Sequence, residues 1–297
     1  MNDFRLSVFL SVAKFKSFTK AAHELRISQP AISQHIKELE SSYNVRLFER
    51  AQNTIALTHQ GEIFLTYAMD ITQKYKELEF EINLSNNQSI GKLVIGASTT
   101  ISQYVLPAIM ARYMKRFPNI ELSLISGNSD QIELMVYRHE VDFGIIEGYG
   151  RRKEFNYSFF AKDELVLITS AKNKVKQELS VEEFKKLPLI LRENGSGTLA
   201  VMENTLKNHN ILLSDLNIKM QLGSSESIKR FVEIEDNYAV ISIAAIMDEL
   251  AQGRLKVLDI DNITMPRDFS FITPAGFHNK LAEEFFQFAI LTHKEML

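Results

Sequence analysis

Four short clusters in the second half of the chain carry the residue types that bind small anions. They are Ser98-Thr99-Thr100, Gly127-Asn128-Ser129, Gly195-Ser196-Gly197-Thr198 and Gly223-Ser224-Ser225. Each follows an apolar run that reads as a strand and precedes a pattern that reads as a helix. A helix start offers unpaired N–H groups and partial positive charge, and Ser and Thr add hydroxyl donors. Converging on one cleft, such ends hold an anion without any Lys or Arg. Taken singly, each cluster is equally an ordinary helix cap. Glu147, just past a strand end, either orients a ligand donor, repels the wrong anion or is a solvated carboxylate. A second set stands near the N-terminus, where Gln29, Ser33, Gln34 and Lys37 share the polar face of one helical pattern. Gln pairs bidentately with adenine and Ser is a permissive donor, which is base-reading chemistry. The bland alternative is a solvated helix face.

Other chemistries are missing their residues. With no cysteine there is no disulfide, thiol nucleophile or zinc finger, which fits a reducing cytoplasm. The seven histidines are scattered without metal-ligand spacing, so neither a metal nor a cofactor is expected. Gly195–Thr198 lacks the Gly-Lys-Ser/Thr ending of a P-loop, and no nucleophile elbow or dinucleotide fingerprint occurs. The chain is read as a non-enzyme. The competing reading is an α/β binding module or enzyme with a helical appendage that does not touch DNA. Substituting Gln29 and Ser33 separates the two. No apolar run is long enough to span a membrane and the N-terminus lacks a signal-peptide pattern, which points to the cytoplasm.

The elements that position these residues follow from periodicity. Leu6, Phe9, Leu10 and Ala13 define a first helix, and Ala21, Ala22 and Leu25 a second. A third begins after the N-cap Ser28, with Pro30 in its first turn and Ile32, Ile36 and Leu39 as its apolar stripe. Residues 1–58 hold eight Lys and Arg against five acids, a surplus of three in a chain whose net charge is -3. A basic head on an acidic body suits a DNA reader. After Thr58, a plausible N-cap, Phe64, Ala68, Ile71, Tyr75, Leu78 and Ile82 form an a/d seam. Such a seam needs either a partner helix or its own domain to cover it. Ser85–Ser89 reads as a hinge. From Lys92 onward strands and helices alternate, an α/β pattern. One helix should bury Leu106, Met110, Met114 and Phe117, and the last helix Leu281, Phe285, Phe288 and Ala289.

The run from Ser17 to Glu40, then Val45–Arg50 and Leu57–Gly61, resembles the signature of LysR-type transcription regulators over about sixty residues. By that resemblance Gln29, Pro30, Ser33 and Gln34 lie against bases, with Thr19, Ser28 and Lys37 nearer phosphates. Val45 to Leu57 forms a wing, from which Arg50 and Gln52-Asn53 reach backbone or minor groove. The implied fold is an α/β chain with an N-terminal all-α winged helix-turn-helix, a long linker helix and a periplasmic-binding-protein-like two-lobed sensor. The implied domains are 1–58 for DNA binding, 59–87 for a dimerising helix and hinge, and 88–297 for effector binding. Lobe I comprises about 90–162 and 267–297, and lobe II about 163–266.

The expected partners are double-stranded promoter DNA, a small anionic effector and copies of the chain, as a homodimer through the linker and a homotetramer through the sensors. The effector set is Ser98, Thr99, Thr100, Asn128, Ser129, Glu147, Gly195, Ser196, Gly197, Thr198, Ser224 and Ser225. Gly96–Ile101 and Arg192–Thr198 resemble most the branch with regulators of sulfur assimilation and carbon dioxide fixation. Leu199, where Arg is frequent, and Glu235-Asp236-Asn237, in place of a Gly-rich turn, depart from it.

Overall fold

A computed structural model describes residues 3–51, 54–85, 90–148, 152–234 and 237–296. The chain divides into two compact units, Met1–Ser89 and Ile90–Leu297. The first holds α1 (Phe4–Phe15), α2 (Phe18–Leu25), α3 (Gln29–Tyr43), the hairpin of β1 (Phe48–Ala51) and β2 (Thr54–Leu57), and α4 (His59–Ser85). Each short helix starts on a side-chain cap. Asp3, Ser17 and Ser28 accept from the N–H groups of Arg5, Lys20 and Ala31. Their stripes meet in one core of Val8, Phe9, Val12, Ala21, Ile32, Ile36, Leu39 and Leu47. The small Ala21 and Ala22 are buried in the same core.

Thr58 caps α4 by accepting from the Gly61 N–H at 3.0 Å, and its own hydroxyl donates to the Arg46 carbonyl at 2.6 Å. The seam of α4 divides. Phe64 and Ala68 belong to the core of the head, so the own-domain alternative holds for its first turns. Further along, Ile71 and Leu78 are exposed.

The second unit holds, in chain order, β3 (Gly91–Ser98), α5 (Leu106–Arg116), β4 (Ile120–Gly127), α6 (Ser129–Tyr137), β5 (Phe143–Glu147) and the long β6 (Phe155–Ser170). There follow β7 (Glu178–Leu179), α7 (Val181–Lys186), β8 (Leu189–Arg192), α8 (Gly197–Asn208), β9 (Ile218–Leu222), α9 (Ser225–Ile234) and β10 (Tyr238–Ser242). The unit ends with α10 (Met247–Ala251), β11 (Leu255–Ile260), β12 (Met265–Pro274) and α11 (Lys280–Met296). One sheet runs β4-β3-β5-β12-β6-β10-β8-β9, with β11 also on β6. β3, β4 and β5 pair in parallel, as do β8, β9 and β10. Between these sets, β6 and β12 run antiparallel from Met265↔Leu165 to Pro274↔Phe155, with a register shift at Phe269/Ser270. The two strands carry the chain from one parallel set to the other and back.

The helix after β3 departs from its expected phase. Ile101–Val105 is a π-helical turn, which admits one more residue per turn and rotates everything after it. The expected set begins after that turn and steps by four from Leu106 to Met114, which drifts round a 3.6-residue helix; the buried residues of α5 are Leu106, Ile109 and Tyr113, while Met114 is exposed. In α11, Leu281, Phe285 and Ala289 are buried as expected, and Phe288 packs edge-on against the Tyr113 ring. Among the described residues no helix is long and apolar enough to cross a membrane, and no three His, Cys, Asp or Glu side chains gather as metal ligands.

Candidate functional site

In the head, the polar residues of α3 share its exposed face. Ser28, Gln29, Pro30, Gln34 and Lys37 are exposed, Ser33 is half-buried, and Thr19 is exposed on α2. The Gln29 amide donates to the Ser33 hydroxyl at 2.9 Å and the Gln34 amide to Glu38 at 3.0 Å. These contacts are local and weak enough to exchange for base edges. The turn between α2 and α3 is set by Arg26, whose backbone is left-handed at φ 55 and whose N–H closes on the Ala22 and His23 carbonyls. Arg50 lies on β1 opposite Ile55, and its side chain and Gln52-Asn53 lie outside the described residues.

In the second unit, the four polar clusters stand where the sequence places them, at the carboxyl ends of β3, β4, β8 and β9. Ser98, Thr99, Thr100, Ser129, Ser196, Thr198 and Ser225 are all buried, and Asn128 and Ser224 half-buried. The clusters meet across the β6–β12 crossover. The Asp130 N–H donates to the Gly195 carbonyl at 3.2 Å. A Cβ on Gly197 would lie 2.2 Å from the Glu147 carbonyl oxygen, so only glycine permits α8 to start there. Asn128 acts as a cap: its side chain accepts from the Gln131 N–H, and the Gln131 side chain accepts from the Asn128 N–H.

Glu147 is neither solvated nor free. It is 2% exposed, accepts from the Ser98 hydroxyl and from Thr100 at 3.5 Å, and lies 3.7 Å from an Arg267 guanidinium nitrogen. Burial raises its carboxyl above the ordinary value, an effect that Arg267 and Arg192 only partly offset.

Two buried guanidinium groups, which the sequence reading did not include, stand among these clusters. Arg192, at the end of β8, is 1% exposed. It donates to Ser225 at 3.3 Å, to Thr99 at 3.3 Å and bidentately to Glu193 at 2.8 and 3.0 Å. Burial alone would raise the Glu193 carboxyl, but the Arg192 hydrogen bonds and charge hold it below its ordinary value. Arg267 donates to Asp163 at 2.6 Å and to Thr198 at 3.0 Å, and its second terminal nitrogen has no partner. The Asp163 carboxylate also accepts from Ser242 at 2.8 Å.

A signal for these groups exists in the sequence. Met265, Arg267, Phe269 and Phe271 alternate as the inward face of β12, so a charge at 267 must be buried with a partner. Arg192 closes the apolar run Leu189–Leu191. Beside this cluster, the Tyr104 hydroxyl donates to Glu226 at 2.5 Å, and Lys229 pairs with Glu226 at 2.6 Å and Glu249 at 3.0 Å.

Comparison with known proteins agrees with both halves. The family model of bacterial regulatory helix-turn-helix proteins, lysR family, matches residues 4–62, and that of the LysR substrate binding domain matches residues 86–291. The HTH-type transcriptional regulator CysL of Bacillus subtilis (strain 168) is 28% identical, over 95% of this chain and 94% of its own. A probable RuBisCO transcriptional regulator of Thalassiosira pseudonana is 32% identical over 95% and 94%. The structure of the Synechocystis PCC6803 CcmR regulatory domain in complex with 2-PG matches with a TM-score of 0.63 and 25% identity, covering 69% of this chain and 98% of that one.

Proposed function

The chain belongs to the LysR family of DNA-binding transcription regulators, and from that premise we propose that it senses a small anion in the cleft at the β6–β12 crossover. A regulator with an effector-binding domain leaves no place for the enzyme alternative. The observation that carries the anionic reading is Arg192, a guanidinium held out of water where the ends of β3, β8 and β9 meet. A buried permanent cation ringed by hydroxyls selects a charged oxygen ligand over a neutral one. CcmR, which shares this domain's fold, binds 2-PG. The effector set is Ser98, Thr99, Thr100, Asn128, Ser129, Glu147, Gly195 to Thr198, Ser224 and Ser225, joined by Arg192.

The domains are 1–58, 59–87 and 88–297, and the lobes meet where β6 and β12 cross. Gln29, Pro30, Ser33 and Gln34 read bases in the major groove while Thr19, Ser28, Lys37 and Arg50 hold phosphates. The chain works in the cytoplasm as a homodimer through α4, and dimers pair into a tetramer. Effector binding shifts the balance between lobe arrangements and so the promoter geometry of the paired heads.

Thermal shift of the full chain against oxyanions and carboxylates tests the sensor. A concentration-dependent rise in melting temperature with 2-phosphoglycolate, lost in Thr100→Ala or Thr198→Ala, is the expected result. A rise confined to neutral or cationic compounds rules the anion out. For the head, a duplex is selected from a random library. Gln29→Ala with Ser33→Ala should then weaken binding by about 1–3 kcal/mol with the salt dependence kept. Lys37→Ala should lower the salt slope by about one. Unchanged affinity in the double variant places base reading elsewhere.

A further inference from the structure

Arg192 cannot reach water, so its charge must be balanced inside the cleft. The balance comes from the residue next to it in the chain. Glu193 places one carboxylate oxygen 2.8 Å from Nε and the other 3.0 Å from a terminal nitrogen, the two-oxygen clasp with which a guanidinium grips a carboxylate or phosphate. Unlike Arg192, Glu193 has a way out. Its side chain is 27% exposed, and the other side chain that its carboxylate meets is the Asn128 amide at 3.5 Å. It begins the segment Glu193-Asn194-Gly195-Ser196, whose Gly195 is at φ +83.

An independent observation lies three residues on. Ser196 occupies the N-cap position of α8, is 2% exposed, and its hydroxyl makes no hydrogen bond, not even to its own helix. At the corresponding position Ser28, Asn128 and Ser180 all cap theirs. A buried donor without an acceptor is costly, and it stands in the same turn as the borrowed carboxylate.

We propose that the Glu193 carboxylate is a tethered stand-in for the effector on Arg192, displaced into solvent when a carboxylate or phosphate takes over the guanidinium, with the Ser196 hydroxyl gaining its acceptor. This rests on the anionic reading of the cleft and adds to it the group that sets effector affinity. An apparent affinity is reduced by the fraction of molecules in which the site is self-occupied. Glu193 therefore sets how much effector is needed, while Arg192 sets what kind.

The test is calorimetric titration of the full chain with 2-phosphoglycolate, with inorganic phosphate and glycolate as arms that separate the two anionic groups. Glu193→Gln should bind about tenfold more tightly than the natural chain, as for a site self-occupied nine times in ten. Glu193→Asp, which keeps the charge but shortens the clasp, should fall between them, and Arg192→Gln should lose binding. Glu193→Gln should also melt lower than the natural chain without anion and recover the difference at saturation. A purely structural ion pair would leave the deficit at any anion concentration. Equal affinity in Glu193→Gln and the natural chain, with binding lost in Arg192→Gln, overturns displacement and leaves the anionic cleft standing. Binding undiminished in Arg192→Gln, or no binding of any probe to Glu193→Gln, overturns both.

Discussion

Arg267 and Asp163 face each other in register across β6 and β12, both side chains 1% exposed. Removing one charge strands the other in a low-dielectric interior. Asp163→Asn should therefore cost about 3 kcal/mol or more. That corresponds to a fall of roughly 6–12 °C in the melting temperature of the sensor unit, by calorimetry; a fall under a degree would mean that Thr198 and Glu147 suffice to hold Arg267. Glu147 gives a pH signature of its own. Its carboxyl is raised by burial, so the fold favours the protonated form. That contribution is complete below the ordinary carboxyl range and is lost as pH rises through the raised value. Glu147→Gln, which cannot ionise, should thus be at a larger disadvantage at pH 5 than at pH 8, read as the difference in melting temperature. A gap that widens toward pH 8 would show Glu147 to be held ionised instead. The hydroxyl clusters were legible because they follow apolar runs at strand ends. The charges they surround were less so, because Asp163 and Arg267 stand 104 residues apart in the chain and only the crossover pairs them.

Elements became legible where local chemistry sets them and illegible where tertiary packing does. Ser28 and Thr58 announce α3 and α4 through their own hydroxyls, and both cap as read. The buried face of α5 was obscured by its own apolar pattern, because Leu106, Met110 and Met114 step by four and drift off the face that Leu106, Ile109 and Tyr113 keep. Gly61 shows the same conflict within one residue. By helix propensity it is a defect, and alanine should gain roughly 1 kcal/mol there. In the fold its Cα passes so near the wing that a Cβ would lie 2.1 Å from the Leu47 carbonyl oxygen. That oxygen also accepts the Thr58 N–H at 3.0 Å, so it cannot retreat without breaking the entry to α4. Gly61→Ala should accordingly destabilise the head by about 2 kcal/mol, the cost of a forced close contact. Calorimetry of the full chain decides by sign, since a gain in stability would return the glycine to a propensity defect.

At the scale of the whole molecule, the alternation of strands and helices gave the α/β class but not the return of the chain, since nothing local distinguishes β12 from another strand of the set it leaves. What the pattern did carry is a question about α4. A helix of 27 residues packs a half-buried Phe64 and a buried Ala68 against its own head, which uses up the first part of the a/d seam. Ile71 and Leu78 continue the same stripe at 43% and 53% exposure, beyond the reach of that core. Ile71 and Leu78, with Ile82 of the same seam at 52% exposure, have the heptad spacing that a knobs-into-holes contact with a second helix requires. A head presenting one recognition helix also gains from being doubled, because linking two half-site contacts raises overall affinity by a factor of about 10² or more without a new base contact. Ile71→Glu with Leu78→Glu places like charges at the contact and leaves the core of the head untouched. Sedimentation should then show a lighter species than the natural chain, with selected-duplex binding weakened by at least that factor while the melting temperature of the head holds. If the double variant keeps the mass of the natural chain, the subunit contact lies elsewhere than this stripe, and the seam serves the head alone.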